Sequence, residues 1–328
     1  MAETRLKMAL VGCGGIAQVH WQGIKEIASR VDVTAVVDTN SDSATAMAQL
    51  TGAEAFFDLE EALKNGDFEA VDIMLPHDLH ESAALACFSA GKHVLLEKPM
   101  AHSLESAERI LQASQKVTTT FMIAEQAQYW TDVIKARELM DAGAIGEVIS
   151  ASGNFYDRVV IDPDARPPWR FSLAISGGGV TMDGGAHWIR PLRMMMGEVD
   201  EVIGVAGRHV PRMESESWSR MLMKFENGTV GVLTCQNVMH ASGPTDMFRI
   251  TGSEGELQIT GGRDGQLLLF NKEHPRGEVI MSAVEGKRNS YGEEIKDFCK
   301  VVLDGSTMAA TPESVSYTHL TLPTICSV

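Results

Sequence analysis

Cysteine pairs at the spacing of metal or redox sites are absent from this chain. Its five cysteines form no CxxC motif and no Cys/His spacing suited to zinc, so we predict reduced thiols or core fillers and no metal site; they are Cys13, Cys87, Cys235, Cys299 and Cys326. No apolar run approaches the roughly 18 residues of a membrane span. The N-terminus also lacks the apolar stretch and cleavage site of a signal peptide. We therefore expect a soluble protein in the cytoplasm.

Basic residues are also scarce. The chain has 28 Lys and Arg against 44 Asp and Glu, which gives a formal net charge of −16. A charge of this sign repels nucleic acids and anionic membranes unless a local basic patch overrides it, and the sequence shows no such patch. We therefore predict a small-molecule partner, with no nucleic acid and no membrane.

The first half of the 328-residue chain alternates short apolar strands with helical segments. This alternation is typical of a doubly wound parallel sheet, and the length predicts two domains. The first strand ends in a glycine-rich loop, Gly12-Cys13-Gly14-Gly15-Ile16-Ala17, that opens a helix. Gly12 allows a tight turn, Gly14 lets a pyrophosphate approach the backbone, and Ala17 permits close packing of helix on strand. The N–H groups at the helix start, from Gly15 and Ile16, then face the phosphates.

An acidic residue follows the second predicted strand, about 20 residues after the glycine loop, which is the spacing of a ribose-binding carboxylate. This residue is Asp38, and no arginine occurs between Arg30 and Arg109 to offset its charge. A phosphate on the ribose would be repelled, so Asp38 favours NAD over NADP. The alternative is a turn-forming acid without a ligand.

A second charged segment follows the apolar strand His93–Leu96, where Glu97 and Lys98 precede Pro99. Proline ends the strand, so both charges lie at its carboxyl end, the edge at which ligands bind in open α/β sheets. An isolated pair of this kind is more often a surface ion pair. The neighbouring strand also ends at this edge, in Pro76, so we predict a site there.

The second half contains Ser176-Gly177-Gly178-Gly179-Val180-Thr181-Met182-Asp183, followed closely by His187. A run of glycines suggests a backbone that passes close to something. Asp183 and His187 are four residues apart, which on a helix places both side chains on one face. Taken alone, the pair is more often a capping acid and a buried helix histidine.

Four segments together resemble the Gfo/Idh/MocA oxidoreductases, the glucose–fructose oxidoreductase and inositol dehydrogenase family; they are Gly12-x-Gly14-x-x-Ala17, Pro76-x-x-x-His80, Gly91-Lys92-His93-Val94 and Glu97-Lys98-Pro99. The resemblance implies an N-terminal Rossmann domain with a doubly wound parallel sheet, in residues 1–125. It further implies a C-terminal α/β domain with a large, mostly antiparallel open sheet, in residues 126–314. Such sheets often mediate oligomerisation, so we expect a homo-oligomer, a dimer or a tetramer.

The resemblance also implies NAD(P)-linked transfer of a hydride at a carbinol carbon of a sugar, cyclitol or related polyol. Polyol dehydrogenases of the family carry Asp-x-x-x-His facing the lysine of Glu-Lys-Pro, and Asp183-x-x-x-His187 matches that pattern. His187 would accept the hydroxyl proton, Asp183 would orient the imidazole or share the substrate's hydroxyls, and Lys98 would stabilise charge on the reacting oxygen. Further residues are assigned to cofactor binding: Pro76, His80, Glu97, Lys98 and Gln126. For Glu97, a place near the nicotinamide ribose and a local ion pair both stay open.

The substrate is not identified by the sequence, because specificity lies in loops such as the proline-rich stretch between Asp157 and Ser176. Substrate contacts are assigned to Tyr156, Trp169 and Arg170. One alternative is an NAD-dependent glycosidase that oxidises its sugar transiently, eliminates the glycoside and releases no net NADH. A non-catalytic NAD or sugar sensor is a third, which retention of the three catalytic positions disfavours.

The tail, residues 315–328, differs from the rest of the chain. It is rich in threonine, contains Pro323, and resembles translated sequencing-adapter read-through, whereas family members usually continue into a further helix. We predict that this tail is not native.

Overall fold

The computed structural model describes residues 4–162, 164–240, 243, 246–262, 264–282, 287 and 289–316. The chain divides into two units. The first unit runs to Gln126 and also includes Tyr291–Ser316, and the second runs from Ala127 to Ser290.

A six-stranded parallel sheet forms the first unit, in the order β3-β2-β1-β4-β5-β6. Its strands are β1 (Leu6–Val11), β2 (Val31–Val37), β3 (Glu54–Phe56), β4 (Ala70–Ile73), β5 (His93–Glu97) and β6 (Phe121–Ala124). The helices between them are α1 (Gly15–Glu26), α2 (Ser41–Thr51), α3 (Leu59–Asn65), α4 (His80–Ser89) and α5 (Leu104–Ser114). This strand order is that of a dinucleotide-binding fold, and it confirms the predicted doubly wound sheet.

Short polar side chains begin three of these helices. Asn40 accepts hydrogen bonds from two backbone N–H groups of α2, and Asp58 accepts one from α3. Ser103 caps α5 by accepting from the backbone of Ser106. Such caps satisfy backbone donors that have no partner within the helix.

An eight-stranded sheet forms the second unit, in the order β14-β13-β12-β11-β7-β10-β9-β8. Its strands are β7 (Val148–Arg158), β8 (Val199–Gly207), β9 (Trp218–Phe225), β10 (Val230–Val238), β11 (Asp246–Gly252), β12 (Gly255–Thr260), β13 (Gln266–Asn271) and β14 (Glu278–Ser282). Only the pairing of β7 with β10 is parallel, so the predicted mostly antiparallel sheet is confirmed. Among the described residues, the α-helices that accompany the sheet are α6 (Thr131–Asp141), α7 (Leu173–Ser176) and α8 (Ala186–Met196).

The two faces of this sheet differ in polarity, as the alternation in β9 predicts. Met221, Met223 and Phe225 are buried in the core of the unit. The intervening Leu222 points to the opposite face, where it is half exposed. Burial of one face fixes the register, because a slip by one residue would exchange the two sets of side chains.

The last two helices, α9 (Ser290–Asp304) and α10 (Pro312–Ser316), return to the first unit from Tyr291 onward. The predicted domain boundaries place residues 126–314 together, whereas the structure assigns Tyr291–Ser316 to the unit of the parallel sheet. A Cβ added at Gly23 of α1 would lie 2.7 Å from the backbone nitrogen of Gly292, so glycines on both helices allow this close contact. Chain order alone carries no signal for such a return.

Residues 317–328 lie outside the described residues, and the prediction about the tail therefore stays a prediction. Four cysteines are described, and all are buried free thiols: Cys13, Cys87, Cys235 and Cys299. Among the described residues, no helix is both long enough and apolar enough to cross a membrane.

Candidate active site

The glycine loop after β1 is shaped by Gly12. Its φ angle is +93°, and a Cβ added there would lie 2.4 Å from the carbonyl oxygen of Met74. Any other residue would therefore combine an unfavourable backbone conformation with a clash against the end of β4. Gly12 thus permits the tight turn that the sequence predicts.

The start of α1 leaves room for an anion. Cβ atoms added at Gly14 or Gly15 would meet nothing within 4 Å. Gly14 provides no side-chain cap, and the first turn of α1 contains no acidic residue. A helix N-terminus with these features fits a pyrophosphate, which its N–H groups and partial positive charge would bind.

Asp38 follows β2 and holds the glycine loop. One oxygen, Oδ2, accepts a hydrogen bond of 2.8 Å from the backbone N–H of Cys13, and Oδ1 accepts one of 2.8 Å from that of Asn40. The second contact is the turn-forming role given above as the alternative. Asp38 therefore has a structural role at the loop, whether or not it also contacts a ribose.

His80, the first residue of α4, contacts the Glu-Lys-Pro segment at Pro99 and is fully buried. Its Nδ1 is 2.9 Å from the carbonyl oxygen of Pro99, and its Nε2 is 2.9 Å from that of Leu75. Burial lowers the pKa of His80, although both carbonyl contacts act in the opposite direction. His80 thus connects the end of β4 to the segment after β5, while its predicted contact with the cofactor stays a prediction. Pro76 lies where the chain leaves β4.

Glu97, at the end of β5, is buried against His20 of α1. His20 Nε2 is 3.1 Å from Glu97 Oε1, and His20 Nδ1 is 2.8 Å from Asp72 Oδ2. Burial pulls the pKa of His20 down, but the charge of Asp72 and the hydrogen bonds to both carboxylates outweigh it and raise the pKa well above 6.5. Two roles were left open for Glu97, and the structure describes the local pair, which Glu97 forms with His20. Lys98 follows at the half-buried position before Pro99.

α9 supplies two further groups to this region, the partly buried Tyr291 and the fully buried Glu294. The ring of Tyr291 lies 5.4 Å from that of His20, and its hydroxyl is hydrogen-bonded with Gln126. Burial raises the pKa of Tyr291, and the charge of Glu97 adds to the rise. Burial also raises the pKa of Glu294 well above its ordinary value. The predicted cofactor residue Gln126 is thus buried beside α9.

In the second unit, the glycine-rich segment passes close to its own protein. A Cβ added at Gly179 would lie 1.8 Å from the carbonyl oxygen of Glu216, and one added at Gly184 would lie 2.2 Å from the ring of Phe155. The Glu216 carboxylate also accepts hydrogen bonds from the backbone N–H groups of Gly179 and Thr181. Glu216 therefore fixes the turn that leads to Asp183, a role the sequence analysis missed.

Asp183 lies in a π-helical turn, Thr181–Gly185, directly before α8. This differs from the single α-helix that the spacing of four suggests, and such turns are frequent at functional sites. Arg170 Nε donates a hydrogen bond of 3.0 Å to Asp183 Oδ2. His187 is half-buried in the first turn of α8.

A cavity of about 90 Å³ lies beside Asp183, and its wall includes Asp157, Arg170 and Asn237. Burial raises the pKa of Asp157, and the charge of Asp183 raises it further. The wall of this cavity contains Phe155 and Asp157 rather than the predicted Tyr156. Side chains alternate across a strand, so Tyr156 points to the other face of β7.

Trp169 borders a second cavity, of about 510 Å³, together with Arg166, Arg212 and Glu214. The Arg170 guanidinium lies 4.3 Å from the centre of the Trp169 ring, a cation–π contact. The predicted substrate residues Trp169 and Arg170 therefore border neighbouring cavities of the second unit.

Two sequence families match this chain. Residues 6–125 match the oxidoreductase family with an NAD-binding Rossmann fold, and residues 133–258 match the GFO/IDH/MocA C-terminal domain. The chain belongs to the Gfo/Idh/MocA oxidoreductase family. The resemblance seen in the sequence is thereby confirmed.

Several members of the family match this chain over most of its length. 4-Carboxy-2-hydroxymuconate-6-semialdehyde dehydrogenase of Sphingobium sp. is 32% identical over 92% of this chain and 91% of its own. Myo-inositol 2-dehydrogenase of Thermotoga maritima is 25% identical over 94% of this chain and 91% of its own. A crystal structure of a Thermotoga maritima oxidoreductase has a TM-score of 0.84 at 28% identity, covering 98% of this chain and 95% of that one. The complex of levoglucosan dehydrogenase with NADH and levoglucosan shares the fold, with a TM-score of 0.88 at 22% identity and coverage of 98% and 96%.

This Gfo/Idh/MocA chain places in one cluster several residues that the sequence analysis overlooked. Asp72 is a charged residue within the otherwise apolar strand β4. A buried charge needs a partner, so Asp72 could have indicated a buried basic partner such as His20 from the sequence alone. Glu294 carried no such signal, because its helix shows an ordinary amphipathic pattern.

Proposed function

We propose that this protein is an NAD-dependent dehydrogenase that moves a hydride between the nicotinamide and a carbinol carbon of a sugar, cyclitol or related polyol. The observation that supports this most directly is the cavity beside Asp183, whose largely apolar wall carries two carboxylates, a guanidinium and an amide. These groups donate to and accept from hydroxyls, as a polyol requires. Membership of a family of NAD-binding oxidoreductases supports the same assignment.

Three side chains carry the reaction in this proposal. His187 accepts the proton of the reacting hydroxyl, and Asp183 orients the imidazole or shares the substrate's hydroxyls. Lys98 donates a hydrogen bond to the reacting oxygen and stabilises negative charge on it. The nicotinamide, when bound, supplies the redox chemistry.

The substrate class is tested by following NADH absorbance at 340 nm with excess NAD and a panel of compounds. The panel includes inositols, sugars and anhydrosugars, together with hydroxylated carboxylic acids because one relative is named for a carboxylated substrate. We expect net NADH formation with at least one hydroxyl compound. Release of sugar from glycosides without net NADH would instead establish the glycosidase alternative.

Asp38→Ala is expected to weaken NADH binding and to reduce the preference for NADH over NADPH. At an effective dielectric near 20, the carboxylate repels a unit charge about 4 Å away by roughly 4 kcal/mol, so the preference should change by roughly tenfold or more even after screening by solvent. Fluorescence titration with both cofactors measures the two dissociation constants. Asp58→Ala, which removes the cap of α3, is the control and should leave the preference intact. An unchanged preference in Asp38→Ala would refute its role in cofactor choice.

We also propose that the exposed face of the eight-stranded sheet joins copies of this chain. Leu222 is directly opposite Ile203 of β8 and Val232 of β10, so the three form an apolar row across the strands. Their exposed fractions are 50%, 71% and 46%. A continuous apolar row of this kind is typical of an interaction surface.

Leu222→Lys is therefore expected to lower the molar mass in solution from a multiple of 35.6 kDa to 35.6 kDa, as measured by light scattering after size exclusion. Leu50→Lys provides the control, because Leu50 is equally exposed, at 51%, on α2 of the other unit. If both variants retain the mass of the unmodified protein, the sheet face is not the interface.

A further inference from the structure

His20 connects the N-terminal helix to the segment that carries Lys98. We propose that His20 is a positioning residue: it is held as an imidazolium between Asp72 and Glu97, and it fixes Glu97 and thereby the neighbouring Lys98. Glu294 completes the cluster as a neutral carboxylic acid. This inference rests on the proposed role of Lys98 in hydride transfer.

The contacts of the His20 ring require two N–H donors. Nδ1 lies 2.8 Å from a carboxylate oxygen of Asp72, and Nε2 lies 3.1 Å from one of Glu97. A neutral imidazole has a single N–H, so its other nitrogen would direct a lone pair at a carboxylate. With both carboxylates ionised, only the imidazolium satisfies both contacts, and each becomes a charge-assisted hydrogen bond. The ring is fully buried, so water does not compete for either nitrogen.

The surroundings of His20 are strongly acidic, and they come from four elements besides α1. The groups that face this cluster are Asp72 of β4, Glu97 of β5, Glu125 after β6, and Tyr291 and Glu294 of α9. One imidazolium offsets only one of the two negative charges that it contacts. A further ionised carboxylate buried here would lack compensation.

Glu294 is the group that relieves this excess of negative charge. It is fully buried, and neither carboxyl oxygen has a hydrogen-bond partner among the described residues. An ionised carboxylate without donors is strongly disfavoured in such a place, whereas a protonated one is tolerated. The raised pKa of Glu294 agrees with this assignment.

The consequence lies at the end of β5, where Glu97 directly precedes Lys98. When pH rises through the raised pKa of His20, the ring loses the proton that one of the two contacts needs. Asp72 and Glu97 then no longer share a cation, and Glu97 loses the charge-assisted contact with His20. Turnover should therefore fall at alkaline pH.

The first test uses the unmodified protein. Nitrogen-15 NMR of histidine-labelled protein, with His20 assigned by comparison with His20→Gln, reports the protonation of each ring nitrogen. We expect both nitrogens of His20 to be protonated at pH 7.5, well above the ordinary pKa of 6.5. A His20 ring with one protonated nitrogen at that pH would overturn the proposal, and this readout needs no substrate. Failure of the proposed function would therefore not be confused with failure of the inference.

The second test compares two isosteric amides over a pH series. Asp72→Asn removes the charge that favours the imidazolium, so the alkaline limb of kcat should move at least one pH unit lower. Glu294→Gln replaces a neutral acid with a neutral amide, so the limb should stay where it is in the unmodified protein. An unmoved limb in Asp72→Asn would overturn the positioning role. A downward shift in Glu294→Gln equal to that in Asp72→Asn would overturn the neutral assignment of Glu294.

Discussion

Lys98→Met is expected to lower kcat by about 10²–10⁴-fold with the best polyol substrate, the range typical of a lost acid–base or electrostatic group. Methionine keeps the length of the side chain and removes its charge and its donors. Cofactor affinity should change little, because the glycine loop, α1 and Asp38 are unaltered. Steady-state kinetics and fluorescence titration with NADH measure the two quantities separately.

Lys92→Met is the matched control for this variant. Lys92 directly precedes β5, whereas Lys98 directly follows it. The Nζ of Lys92 donates to the carbonyl oxygen of Phe68 at 2.7 Å and lies 4.7 Å from the centre of the Phe68 ring. Its loss should lower thermal stability and spare kcat. If Lys98→Met turned over substrate as Lys92→Met does, Lys98 would have no role in the chemistry.

His187→Ala is expected to lower kcat by about 10²–10⁴-fold near neutral pH, because the reacting hydroxyl would lose its proton acceptor. Raising the pH should recover part of the rate, since hydroxide or a second base can then remove the proton. A pH series of kcat, together with the dissociation constant for NADH, measures both effects.

His209→Ala serves as the control in the same unit. His209 Nδ1 lies 2.9 Å from the hydroxyl of Ser217, a contact that holds the loop between β8 and β9. This variant should keep its turnover. Near-normal turnover in His187→Ala would support the alternative interpretation, in which His187 is a helix histidine with no part in the reaction.

Much of the parallel sheet was predictable because its signals are local. Gly12 marks the end of β1, Asp38 the end of β2, and Ser103 the start of α5; each is a residue whose own chemistry sets the backbone around it. The fold class and the family follow from these segments and were confirmed.

The features that sequence reasoning missed depend on contacts between distant segments. Glu216 holds the turn before Asp183 from more than thirty residues away. Whether Tyr156 or its neighbours line the cavity beside Asp183 depends on which face of β7 is turned toward that cavity. The pattern of a strand does not indicate which face that is. Gly184, in the π-helical turn Thr181–Gly185, likewise lies close to Phe155 of the distant strand β7.

The return of α9 to the first unit affects the order in which the protein can fold during synthesis. The ribosome delivers β1–β6 first, but Gly292, which meets Gly23, follows only after the whole second sheet has been made. Domains generally fold as units while the chain emerges. The unit that begins first is therefore completed last. Until α9 is made, His20 and Glu97 lack their neighbours Tyr291 and Glu294. A nascent chain that stops before residue 290 would hold an unfinished, acidic cleft in place of a closed cluster.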